Sequence, residues 1–346
     1  MRLLLLPLIL LLSAPVHAQR WTVQTAGLDT NLRGISAVNA SGLSQDVIVW
    51  ACGSHGVILR SVDQGKTWKR LHVWSGDALD FRGIVAFDAT TAYVMSIGGG
   101  VQSRIYKTVD GGENWTLEFS DKRTAFFLDD LVCISKTECY ALSDPVDGKF
   151  LLVSTEDGEH WKELPGPNMP AALTGEGVFA ASGTSLAIYN KREIYFGTGG
   201  ARGARVFRSP DLGHTWRVAE TPIAIGNASS GIFSITRIRD TVIAVGGDYK
   251  EPSRSVGVAA YSVDDGRTWR LAMRQPEGFR SAVAAFSAAT IGDVTIAVGP
   301  NGEDTSHDRG IHWSSAGNLN LNALAGTDAD HVWGVGPKGT IAHLIP

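Results

Sequence analysis

The chain carries no basic excess: 31 Lys and Arg stand against 35 Asp and Glu, for a formal charge of −4. Phosphates need clustered cations to neutralise them, so nucleic acid is not expected as a partner. Long apolar runs are also lacking. The run Leu3 to Leu12 has ten residues and is broken by Pro7, too few to span a bilayer, so no membrane anchor is expected. Preceded by Arg2 and followed by Val16-His17-Ala18, it reads as a signal peptide over 1–18, which implies a periplasmic or secreted protein. No Cys follows the cut, so nothing suggests a lipoprotein. The nine His are scattered and several fall in turns, as His160, His214 and His312 do, so no metal site is expected, although carboxylate loops remain open to calcium. Neither Ser143 nor Ser230 has a visible His partner, which argues against nucleophilic hydrolysis. No Gly-rich segment sits between a strand and a helix, so Gly197-Thr-Gly-Gly-Ala-Arg-Gly203 reads as a turn and no cofactor is expected. There is no linker, and residues 19–346 read as one domain, expected to be a monomer.

What the chain does have is a turn repeated six times, Ser/Thr-x-Asp-x-Gly-x-x-Trp. It runs Ser61-Val-Asp63-Gln-Gly65-Lys-Thr-Trp68, and recurs at Thr108 to Trp115, Ser209 to Trp216 and Ser262 to Trp269. Looser copies are Ser154-Thr-Glu156-Asp-Gly158-Glu-His-Trp161 and Ser306-His-Asp308-Arg-Gly310-Ile-His-Trp313. The intervals between third residues are 47, 46, 55, 53 and 44, the length of a four-stranded propeller blade. Each residue type has a job at a hairpin. The Asp accepts the turn's own N–H groups, the Gly supplies a positive φ, and the Trp packs into the apolar layer below. The motif resembles the Asp-box, or BNR repeat, of sialidases, some glycanases, sortilin-type receptors and photosystem II stability/assembly factor-like proteins. Their functions differ, so the resemblance implies a fold and no activity.

Aligning back from these turns places opening strands near Leu32, Phe81, Leu128, Gly175, Ser229, Phe279 and Leu321. The expectation is an all-β, seven-bladed propeller of four-stranded blades. The seventh blade runs out after three strands, and Arg20-Trp21-Thr-Val-Gln24 resembles the start of a fourth strand, so the N-terminal strand is expected to close the ring. Cys133 and Cys139 flank a short hairpin turn and read either as a disulfide or as two half-buried thiols. Cys52 reads as core.

The chemistry is expected on the face opposite the repeated turns. The second residues of the opening strands form a column at the channel mouth: Arg33, Arg82, Asp129, Glu176, Ser230, Arg280 and Asn322. Such a column calls either for a ligand or for mutual salt bridges, Arg82 with Asp129 being the evident pair. Loops on the same face add Asp144, Asp147, Asp248, Tyr249 and Lys250. Asp129, Asp144, Asp147 and Glu176 then form an acidic cluster beside three arginines.

Among the Asp-box families the chain looks most like the photosystem II stability/assembly factor-like group, through Leu32-Arg33-Gly-Ile, Phe81-Arg82-Gly-Ile and the Asp-Gly-Gly-x-x-Trp form at Asp110 to Trp115. That resemblance implies a non-enzymatic propeller that binds a protein partner, with Arg33, Arg82 and Arg280 as contacts. The alternative is a glycoside hydrolase acting on a carbohydrate ligand. A sialidase-like site would draw on the three arginines with Tyr249, Glu176 and Asp129, but the Arg-Ile-Pro signature is absent and sialidase rings have six blades. A general glycosidase needs two carboxylates about 5 to 9.5 Å apart, for which Asp129, Asp144 and Glu176 are the candidates.

Overall fold

The computed structural model describes residues 20–39, 46–164, 166, 168–288 and 292–345; the expected signal peptide lies outside the described residues. Twenty-eight strands form seven antiparallel four-stranded sheets arranged as blades. Blade one consists of Leu32–Asn39, Val47–Gly53, Ile58–Ser61 and Lys69–Leu71. The other opening strands are Asp80–Ala86, Leu128–Cys133, Leu186–Tyr189, Ser230–Ile238, Ala282–Ala288 and Ala323–Asp328. Blade seven is completed by Arg20–Thr25, which pairs antiparallel with Thr340–Ile345 from Arg20 opposite Ile345 to Thr25 opposite Thr340. The ring therefore closes with the two ends of the described chain in one sheet, and among the described residues the only strand edges left on its outside are the short outer strands at the rim of each blade.

Burial peaks at the second strand of a blade and falls to the rim. Every residue of Val47–Gly53 is buried, because a second strand has both faces covered by adjacent blades, whereas the rim strand Ser314–Gly317 is exposed throughout. The core is a set of apolar layers between blades. Trp50, Ile58, Phe81, Val94 and Tyr106 fill the first gap, and Leu32, Val49, Leu59, Trp333 and Ile341 fill the gap across the closure. Each blade thus buries its faces only against its neighbours.

The repeated turns form as their residue types require. Ser61 Oγ donates to Asp63 Oδ1 at 2.7 Å and accepts the Gly65 N–H at 2.7 Å, while Asp63 accepts the backbone and hydroxyl of Thr67 at 2.9 and 2.6 Å. Gly65 has φ +80°, a conformation other side chains reach with strain, and Trp68 Nε1 closes the turn onto its carbonyl at 3.0 Å. One copy is shifted from its expected frame. Thr155 and Asp157, not Ser154 and Glu156, make the turn's bonds: Asp157 accepts the N–H groups of Glu159 and His160, and Glu156 instead pairs with Lys162. Cys133 and Cys139 face each other across their hairpin and are disulfide-bonded, and Cys52 is a buried thiol in the core.

Candidate functional site: the channel mouth

Four of the opening strands carry a β-bulge near their first residues. The register slips between Leu32 and Gly34, Phe81 and Gly83, Leu128 and Asp130, and Ile232 and Ser234. The extra residue at each bulge is Arg33, Arg82, Asp129 or Phe233. A bulge takes a residue out of the ladder and re-aims its side chain, and all four line one cavity of about 570 Å³ at the channel mouth. Three members of the expected column, Glu176, Ser230 and Arg280, do not line it. In blade five the position is held by Phe233, and Ser230 is tied to the Asn227 carbonyl at 3.0 Å. In blade four the opening strand starts at Leu186 rather than at Gly175, so Glu176 lies in the preceding connection.

That connection crosses the channel. Residues 177–185 run over the axis and are pinned by several blades: Asp144 Oδ1 accepts the Val178 N–H at 2.9 Å, Arg82 Nη1 donates to the Ala180 carbonyl at 2.8 Å, and Ser182 Oγ donates to the Ser281 carbonyl at 2.9 Å. Phe179 stacks on Phe233 with centroids 3.8 Å apart, Phe279 meets Phe233 edge-on at 4.7 Å, and Tyr249 does so at 6.1 Å. The path needs close backbone approach. Gly199, after the second strand of blade four, pairs on one side with Gly177 of this segment and on the other with Gly231 of blade five, and a Cβ there would lie 2.5 Å from the Ser230 carbonyl oxygen.

The cavity has two charged ends. At one, Arg82 is held by Asp80, with Nη2 to Oδ2 at 2.7 Å, and Asp80 in turn accepts Ser54 Oγ. Arg33 beside it makes no ion pair among the described residues. Burial and then the neighbouring Arg82 pull its pKa down to about 10, against a smaller opposing pull from Asp80. At the other end sits Asp129, 1% exposed, whose Oδ2 has no hydrogen-bond partner. Burial pushes its pKa well above the usual carboxylate value, and the Asp144 and Asp130 charges push it further. Burial likewise raises Asp144 and Asp130 to about 6, each opposed by backbone N–H groups, from Val178 and from Leu186 with Leu131. The expected Arg82–Asp129 salt bridge is not made.

The other sequence candidates are placed as follows. Glu176 is locked: Arg205 Nε donates to its Oε1 at 2.8 Å and Nη2 to Oε2, Thr198 Oγ1 donates at 2.6 Å and the Leu173 N–H at 2.7 Å. Arg280 is 1% exposed, ion-paired with Asp304 and bonded to Asn301 Oδ1 at 2.8 Å, so it braces blade six and is not free to meet a partner. Asp248 is buried and orders its loop through Ser229, Asn227 and the Lys250 N–H. Lys250 is exposed, and Asp147 sits exposed in a hairpin turn at φ +51°. Asn322 lines the cavity and links blades seven and one by donating to the Leu32 carbonyl at 2.8 Å. The sequence reading missed the aromatic wall of Phe127, Phe179, Phe233 and Phe279 and the partners Arg205 and Asp304. Arg205 and Asp304 are buried on third strands whose other residues include Arg208, Glu303 and Ser306, so no sequence signal singles them out.

A second concavity, of about 550 Å³, lies on the opposite face around Arg239, Asp293 and Arg309. Its cations are already paired, Arg239 with Asp293 and Arg309 with Asp240, so the mouth is the better candidate site.

The chain is similar to the solved structure of YCF48 bound to D1 peptide, at 13% identity and TM-score 0.64, over 94% of this chain and 97% of that one. It is similar to YCF48 from Cyanidioschyzon merolae, at 14% identity and TM-score 0.65, over 94% and 99%. The computationally designed Ika8 protein matches at 13% identity and TM-score 0.55, over 93% and 100%. At these identities the likeness shows the propeller fold and nothing finer. No protein-family model and no curated protein matches the chain.

Proposed function

We propose that this propeller binds a segment of a partner protein at the channel mouth and performs no chemistry there. The observation that carries the reading is the mouth cavity itself. It combines an aromatic wall with an arginine that makes no ion pair among the described residues and a buried carboxylate with one oxygen unpartnered, which is how a site built to orient a ligand looks. At its edge the apolar character continues in Tyr249, which lines the cavity and is 49% exposed. The similar structure of YCF48 bound to D1 peptide supports a peptide ligand. A role in assembling a membrane complex, as in the group the sequence resembles, is the finer form of the same proposal. Hydrolysis of a carbohydrate has less support, because Glu176 is locked to Arg205 outside the mouth.

Random peptide display on the purified protein tests this. Selected peptides should lose binding when Arg33→Gln or Tyr249→Ala is introduced. Equal binding to both variants, or turnover of a glycan that Asp129→Asn abolishes, would overturn the reading. Export is part of the proposal, supported by the leader-like N-terminus and by a disulfide of the kind that persists in oxidising compartments. N-terminal sequencing of protein from a culture's periplasm and medium should start at Gln19; a chain retained in the cytoplasm with Met1 intact contradicts it.

A further inference from the structure

Asp129 is a buried carboxylate that the fold does not satisfy. Its Oδ2 is shielded from solvent yet has no partner, and the charges closest to it, Asp144 and Asp130, are of its own sign. Leaving such a group unpaired costs stability, so a fold keeps it where something else completes it. Its own molecule offers the carboxylate one backbone N–H, from Asp144, and no cation. Arg82 is committed to Asp80 and the Ala180 carbonyl, and no Lys or Arg of the described residues forms an ion pair with Asp129, Asp130 or Asp144. The three acids are not equivalent. Asp130 already accepts from Ser185 Oγ at 3.1 Å and from the Leu186 and Leu131 N–H groups at 2.7 Å each, whereas Asp144 uses only Oδ1, for Val178. Asp129 and Asp144 both line the cavity, Asp129 just beneath its surface, so a ligand group reaches its Oδ2 only by a small shift of the lining.

From this we propose that Asp129 and Asp144 receive an organic cation of the ligand, a primary ammonium or guanidinium carried on an apolar or aromatic body. In a protein ligand this is a lysine or arginine side chain next to hydrophobic residues. The inference rests on the mouth-binding reading and specifies the chemistry the site selects. A metal ion fits less well. Among the described residues no group of three His, Cys, Asp or Glu side chains is placed to hold one, and hard cations require six or more oxygens. An ammonium needs fewer acceptors, and aromatic faces such as those of Phe127 and Phe179 in the same cavity favour a cation with an apolar body. Arg33 and Arg82 line the same cavity and disfavour a cation beside them, which leaves the acid side for it.

The probes are phenethylammonium and its anionic counterpart 3-phenylpropionate, at matched ionic strength. Binding is followed by amide chemical shifts of Leu128, Asp129 and Asp144 and by isothermal titration. Phenethylammonium should perturb these three residues in the wild type and bind about ten- to a hundredfold more weakly to Asp129→Asn, the loss expected of one charge-assisted contact. Asp144→Asn should weaken it in the same direction, and Glu220→Gln on the rim should not. Asp129→Asn keeps the shape of the side chain, and an unchanged melting temperature verifies that it folds. Equal affinity for wild type and Asp129→Asn, or no perturbation at these residues up to the solubility of the probe, overturns the inference. If 3-phenylpropionate instead binds and is lost in Arg33→Gln, the mouth is a binding site but not for cations. If neither probe nor any displayed peptide reaches the mouth, the binding reading fails as well.

Discussion

On the turn face and at the mouth, the same residue type is driven in opposite directions. Asp110, in a repeated turn, is drawn down to about 2 by the backbone N–H and then the side-chain amide of Asn114. Asp264 is drawn down to about 2 as well: burial opposes this, but the backbone and hydroxyl of Thr268 and the Ser262 hydroxyl outweigh it. Asp129, Asp130 and Asp144 are all raised, chiefly by burial. The difference is first one of burial and, for Asp129, also one of supply. A turn carboxylate collects donors from its own loop, and the ionised form is the one the fold uses. Asp129 lies where the chain offers too few donors, so its ionised form waits on an outside partner. Local self-sufficiency thus marks the residues that build the ring, and its lack marks those left for recognition.

Substitutions can break or sharpen this contrast. The largest effect is expected from Arg280→Leu. Removing one half of a buried ion pair strands Asp304, and urea unfolding should show a loss of about 3–5 kcal/mol; a loss under about 1 kcal/mol would place Arg280 among the free mouth residues after all. Cutting the disulfide with Cys133→Ser opens a loop of six residues' separation and should cost about 2 kcal/mol by chain entropy. On the turn face, Ser262→Ala leaves the buried Gly266 N–H without its acceptor, and thermal unfolding should register about 1–3 kcal/mol.

At the mouth the sign reverses. A carboxyl whose pKa is raised on folding holds its proton more tightly when folded. Its contribution is full below the unfolded value of about 4 and declines as pH rises through the folded value, which is about 6 for Asp144 and higher than usual for Asp129. Between pH 5 and pH 8, urea unfolding should therefore show wild type losing more stability than Asp129→Asn does. A variant that loses as much as wild type would mean that Asp129 is not under strain. The smallest effect is expected for Tyr249→Ala. The ring is half exposed, so stability should change by less than about 0.5 kcal/mol while peptide capture falls.

Much of the ring was legible because its information is local and repeated. Turn residues at blade spacing located six hairpins, and the missing last strand with its match at Arg20 to Gln24 located the closure. What failed was what depends on contacts between distant residues. Gly175 to Ser185 has the small and apolar residues of a strand, and only packing against blades two, five and six makes it a segment across the channel. The third turn misled because Glu156 and Asp157 are both acids, and which one caps the turn depends on where Gly158 falls. Glu176 and Arg280 looked free because their partners, Arg205 and Asp304, lie on third strands 29 and 24 residues later. The bulges at Arg33, Arg82, Asp129 and Phe233 have no signature in one sequence beyond a misfit residue in an apolar strand.

Hydrogen exchange of the protein with and without a display-selected peptide tests the central claim most directly. Protection should appear in 126–130, 177–185 and 229–233, around the mouth. Protection confined to the turn face, at 61–68 or 306–313, would contradict it.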